Sequence, residues 1–163
     1  MKTASNTLMV SQEVIVNASL DLVWYAWTLS DRVSAWFAPE AVIEPRIGGA
    51  YELYFIPGNK EGMNTRGCKI TNLVNKKELH FTWKGPDQFA GIMNDGDNLT
   101  VVKVSLEEIG PERTKVTVEH TGFKAHEQWT EALQWHKMAW SGVLGSLKSA
   151  IETGKGDLCC QPE

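Results

Sequence analysis

Residues 125–153, AHEQWTEALQWHKMAWSGVLGSLKSAIET, place one continuous stripe of side chains at helical pitch. Trp129, Leu133, His136, Trp140, Leu144, Leu147 and Ile151 step by four, three, four, four, three and four residues, which lines all seven on one face. Ala132, Val143 and Ala150 widen that face, while Glu131, Gln134, Lys137, Ser141, Lys148 and Glu152 occupy the opposite one. Gly154 follows the last apolar position and is a natural stop. Such a helix runs about 40 Å. Trp135 and Met138 fall off the stripe, where solvent is expected, and an exposed indole leaves a costly apolar area in water. Two covers are open: the segment Met1–Met9 folding back, or a second copy of the chain across a two-fold axis, with Gly142 and Gly145 permitting close approach. The dimer is the favoured one of the two.

Upstream of this helix the chain reads mostly as strand. Leu8–Val16 alternates Val10, Val14 and Val16 with polar neighbours, and Ser19 can cap a short helix whose buried face is Leu20, Val23, Trp24 and Trp27. A second short helix over Asp31–Phe37 ends before Pro39. From Ala41 the apolar period becomes two. Residues 41–46 and 50–56 flank Gly48–Gly49, and Tyr51, Leu53 and Phe55 share a face. Residues 66–74 pair with 78–83, and 98–108 with 113–121, with Thr100, Val102, Val104 and Leu106 inward opposite Val116, Val118 and His120. The predicted order is strand, two short helices, six strands, long helix: an α+β chain with a curved antiparallel sheet wrapped on its C-terminal helix. Residues 10–154 form the domain, between an N-terminal extension (1–9) and a polar C-terminal tail (155–163).

Composition is ordinary for a folded globule: 163 residues, 42% hydrophobic, 22% charged. A net charge of −4 with no basic run argues against a nucleic-acid surface. No stretch approaches a membrane span and the first ten residues lack an apolar core, so a cytoplasmic, membrane-free protein is the default. Cys68, Cys159 and Cys160 suggest no disulfide framework. Nucleophile elbows, Walker loops, dinucleotide fingerprints and zincin motifs are all missing, and neither a metal nor an organic cofactor is expected.

A straight helix cannot touch a strongly curved sheet along its whole length, so a cavity between them is expected, lined by apolar and aromatic side chains. His120 and His136 interrupt apolar faces on the last strand and the long helix, and both can point into it. One reading makes them ligand contacts, or less readily an acid–base pair. The other makes each a core histidine satisfied by a backbone carbonyl or water. Tyr51, Phe55, Trp83 and Trp140 complete the candidate ligand-binding set. Phe89, Ile92 and Met93 lie in the loop 84–96, where apolar side chains suggest a lid. His80 alternates with Leu79 and Phe81 and should point outward, which breaks any three-histidine zinc site.

Several segments together carry a family resemblance: VIVNASLDLVWYAWTLSDRVSAWFAPEA (14–41), RIGGAYEL (46–53), HFTWKG (80–85), KVTVEHTGF (115–123) and AWSGVLGSLKSAIETG (139–154). In this order they resemble the domain related to the activator of the heat-shock-protein-90 ATPase, within the START-like (SRPBCC, birch-pollen-allergen-like) superfamily of helix-grip folds. The resemblance covers residues 10–154 and implies a stand-alone ligand-binding domain more than a chaperone activator, whose namesakes carry a further N-terminal domain. The function expected is therefore non-enzymatic binding of a small hydrophobic or amphipathic molecule. Two alternatives stand beside it: a cyclase- or hydrolase-type enzyme acting in the same cavity, and a co-chaperone-like interaction module.

Overall fold

The computed structural model describes residues 8–56, 58–59, 61–96 and 99–162. Its elements follow the predicted order: β1 (Val10–Val16), α1 (Leu20–Thr28), α2 (Ser30–Val33), β2 (Glu40–Ile43), β3 (Tyr51–Tyr54), β4 (Ile70–Val74), β5 (Glu78–Trp83), α3 (Ala90–Met93), β6 (Thr100–Gly110), β7 (Arg113–Thr121) and α4 (Glu127–Glu152). The short α3, entered through a 3-10 turn at Asp87–Phe89, is absent from the sequence expectation, as is a 3-10 turn at Lys155–Asp157 after α4. No helix among the described residues is long and apolar enough to cross a membrane.

Five strands form a curved antiparallel sheet in the order β1-β7-β6-β5-β4. The β2–β3 hairpin is a separate two-stranded ladder joined to that sheet at one seam. There Gly48 N–H donates to the Ile70 carbonyl (2.8 Å), Ile70 N–H to that of Gly49 (2.8 Å), and Tyr51 N–H to that of Cys68 (2.9 Å). The hairpin turn depends on its glycines. Gly48 has φ +86°, and a Cβ on Gly49 would collide with the Glu44 carbonyl oxygen.

The helix lies across the concave face, and its seven predicted stripe residues are all buried. Opposite them β6 and β7 bury alternate residues in the register expected, with Val104 facing Val118 and Val102 facing His120. The C-terminal half of α4 is tied to the first strand: Lys148 Nζ donates to the Ile15 carbonyl (2.8 Å) and Asn17 N–H to Glu152 Oε2 (2.9 Å). At the other side Ser146 Oγ donates to the Trp36 carbonyl (2.8 Å), and Trp36 Nε1 to that of Ala26 (2.7 Å). Ser19 caps α1 as expected, accepting from Leu22 N–H. Past Gly154 (φ +73°) the tail turns back, and Leu158 is fully buried in the core. Cys159 and Cys160 are paired as a vicinal disulfide, which bridges no two elements. Cys68 is buried, and burial pushes its thiol up to about 11.

Candidate functional site

Trp83 ends β5, His120 stands near the end of β7, and His136 and Trp140 are one turn apart on α4. These four side chains lock helix to sheet by two reciprocal bonds. Trp83 Nε1 donates from the sheet to His136 Nε2 on the helix (3.1 Å); Trp140 Nε1 donates from the helix to His120 Nδ1 on the sheet (3.0 Å). An indole N–H can only donate, so both of those imidazole nitrogens must be acceptors. The tautomers follow: His136 donates through Nδ1 to the Ala132 carbonyl (2.8 Å), and His120 through Nε2 to Thr100 Oγ1 (2.7 Å). The two rings lie 5.0 Å apart, nearly perpendicular. Burial drives His120 well below the usual imidazole range, helped by His136 beside it; burial also lowers His136 to about 4, against the opposing Ala132 bond. Both are neutral, and every ring nitrogen is occupied. In this arrangement neither has a lone pair to offer a ligand or a proton.

Apolar space lies next to this lock. A cavity of about 170 Å³ is walled by Phe55, Met63, Trp83, Pro86 and Trp135, among others. A smaller one of about 70 Å³ shares Phe55, Trp83 and Trp135 as walls and reaches inward to Phe37, His136 and Trp140. Of the residues predicted for the site, Phe55 and Trp83 thus line both spaces, and His136 and Trp140 line the inner one. Tyr51 and His120 line neither. Tyr51 is fully buried, stacked on Phe81 with ring centroids 4.0 Å apart, and its hydroxyl donates to the Trp27 carbonyl (2.8 Å). His80 sits on the opposite face, 2.9 Å from Glu78 Oε1.

The loop predicted as a lid has more internal order than turn chemistry alone suggests. Asn94 closes its base, accepting from Gly85 N–H (2.8 Å) and donating to the Gly85 carbonyl (3.1 Å). Asp87 accepts from Met63 N–H (3.0 Å), which joins this loop to the one before β4. Met93 is fully buried under Gly85, so it acts as a core plug. Phe89 and Ile92 border a surface cleft with Gln128 and Glu131, and Phe89 packs edge-on against Trp135 at 6.0 Å. The rim of the apolar cavity is made instead by Met63, Asn64, Gly85 and Pro86.

Those rim residues were missed by sequence reasoning, because their turn-rich segments carry no periodicity. The signal that existed was Trp135. Its position off the stripe marks where the chain holds an aromatic wall, 39% exposed and packed against His136 at 4.8 Å. The alternative cover, Met1–Met9, falls for residues 1–7 outside the described residues.

The family described as activator of Hsp90 ATPase homolog 1-like protein matches residues 17–152. No curated protein matches the sequence. Among solved structures the chain is similar to MLL2253 from Mesorhizobium loti, at 20% identity and a TM-score of 0.70, over 89% of this chain and 97% of that one. It is similar too to the Aha1 dimer from Colwellia psychrerythraea, at 21% identity and a TM-score of 0.67, over 90% and 98%. A third similar structure is DynU16, from the dynemicin biosynthetic locus, at 24% identity and a TM-score of 0.70. The match covers 92% of this chain but about half (49%) of DynU16. At these identities the likeness is one of fold.

Proposed function

The chain belongs to the family of activator of Hsp90 ATPase homolog 1-like proteins, and from that premise we propose that it binds a small apolar molecule in the cavity beside Trp135, without transforming it. The observation that carries this reading is the cavity of about 170 Å³ walled by Phe55, Trp83, Trp135, Met63 and Pro86. An apolar cavity of about 150 Å³ accommodates benzene, so the space suits a single ring or a short branched chain rather than a long lipid. The Asn64 amide on its wall is already spent: Nδ2 donates to the Gly62 carbonyl (3.1 Å) and Oδ1 accepts from Arg66 N–H (3.0 Å). The walls are otherwise mainly aromatic and aliphatic, with Lys84 among them, which favours an apolar body for the ligand. The enzyme reading lacks support from the histidines, whose nitrogens are committed to Trp83, Trp140, Ala132 and Thr100.

Titration with toluene, followed by tryptophan fluorescence, is expected to shift emission saturably, since Trp83 and Trp135 form the walls. Trp135→Ala removes one wall and should weaken binding about tenfold, the equivalent of about 1.4 kcal/mol. A long-chain fatty acid binding where toluene does not would overturn the size argument. Native mass spectrometry of freshly purified protein identifies any resident molecule directly.

A homodimer through Trp135 and Met138 is a second proposal, favoured by the 78% exposure of Met138 and by the dimeric state of the Colwellia relative. Light scattering is expected to give a dimer for the wild type and a monomer for Met138→Glu. A monomeric wild type at high micromolar concentration ends this proposal and leaves the cavity reading untouched.

A further inference from the structure

Two apolar spaces meet on one flank of α4, and Trp135 is a wall of both. The outer one, of about 170 Å³, extends from Met63 and Pro86 to Trp135. The inner one, of about 70 Å³, begins at Trp135 and continues past Ala139 to Val143. Those three positions are four residues apart, so the inner space follows the helix for two turns, about 12 Å. Phe55 and Trp83 also border both spaces, but each is part of the packed core. Trp83 donates to His136 in the lock, and Phe55 packs on Phe37 and Trp83 with ring centroids 6.4 Å apart. Trp135 is different. It is more than one-third exposed, off the buried stripe, and its ring packs on Phe89 and His136.

Resting on the reading that the outer cavity binds a small apolar molecule, we propose that Trp135 is the size filter of that site. Its indole divides one apolar channel into two and confines the ligand to a single ring. Of the α4 residues, Trp135 borders both spaces, whereas His136, Ala139, Trp140 and Val143 border the inner one. A guest in the outer space therefore meets the indole before it can reach Ala139. Packed interiors resist added volume, so a second ring is refused while the indole stays. An indole is larger than a phenyl ring, so a small residue at position 135 joins the two spaces and makes room for that ring. The filter also accounts for an indole at a helix position where a polar side chain would leave less apolar area in water.

Toluene and biphenyl are the probes, titrated separately into the full chain and followed by ligand-observed NMR. The wild type is expected to bind toluene about tenfold more tightly than biphenyl. In Trp135→Ala, toluene weakens while biphenyl tightens about tenfold, so the order of preference reverses. A general loosening of the fold would weaken both compounds and could not produce that reversal. Adding Ala139→Leu to Trp135→Ala refills the inner space, and should cancel the biphenyl gain while leaving toluene as in the single variant. If Trp135→Ala does not fold, Trp135→Val carries the same comparison. Toluene bound by the wild type with no gain of biphenyl in the variant overturns the filter and leaves the function reading standing. Biphenyl bound by the wild type as tightly as toluene overturns the filter too, as does a biphenyl gain that survives Ala139→Leu. Neither compound bound by either protein ends the function reading and the filter together.

Discussion

Truncation of Trp140 to alanine is expected to lower the unfolding free energy by about 5 kcal/mol, and Trp140→Phe by about 2 kcal/mol. Two losses add in the alanine variant. The indole is buried against Phe37 and Trp83, at ring separations of 5.8 and 5.3 Å, so its removal leaves a void the helix and sheet cannot close. It also strips His120 Nδ1 of its donor, leaving an acceptor nitrogen buried and unpaired. Phenylalanine fills much of the void but cannot donate, so it isolates the second loss. Urea denaturation of both variants measures the split. A domain of this size has a total stability of about 5–15 kcal/mol, so the alanine variant stands near the edge of folding. A Trp140→Phe variant as stable as the wild type would show that the indole–imidazole bond contributes nothing net.

Acid should unfold the protein through the same lock. Both histidines are held neutral in the fold, whereas in the unfolded chain they titrate near the ordinary value of 6.5. Below that pH the unfolded state binds more protons than the folded one, so stability falls as pH falls, and it levels off only beneath the folded value. For His136, lowered to about 4, the interval to 6.5 corresponds to about 3 kcal/mol. His120 is displaced in the same direction and adds to the loss. The geometry gives the cause: a proton on His136 Nε2 would face the Trp83 N–H, and one on His120 Nδ1 the Trp140 N–H, donor against donor. Urea midpoints between pH 7 and pH 5 test this above the range where ordinary carboxylates titrate. Replacing both histidines with glutamine should lower stability at pH 7 and flatten the slope. A flat wild-type profile would contradict the neutral lock.

The helix stripe was legible in the sequence because periodicity is local. Seven positions at helical spacing face one way whatever lies opposite, and all seven are buried. The inward faces of β6 and β7 were legible for the same reason, His120 included. That two imidazoles interrupt those faces could be read; what they do there could not. Their partners come from elements 53 and 20 residues away, and only a crossing of α4 over β5 and β7 brings an indole N–H to each ring nitrogen.

The sequence argument placed an apolar cavity between sheet and helix, and the larger of the two apolar spaces lies at the edge of that divide for a physical reason. A curved sheet and a straight helix must diverge somewhere, but large aromatic side chains can fill the divergence. Trp83, Trp140, Phe37 and the two histidines do so here, leaving about 70 Å³ inside. The larger space lies where α4 passes the loops around Met63 and Pro86, and loop placement has no periodic signature. Met93 shows the same limit: within a turn-rich stretch nothing distinguishes a lid residue from a plug, and the Asn94–Gly85 clamp turns it inward. By itself the sequence determined the order of elements, the buried faces and the family, all set by local pattern. The tertiary structure alone decided which polar atoms are satisfied and where space remains, because both depend on groups distant in the chain meeting at hydrogen-bond range.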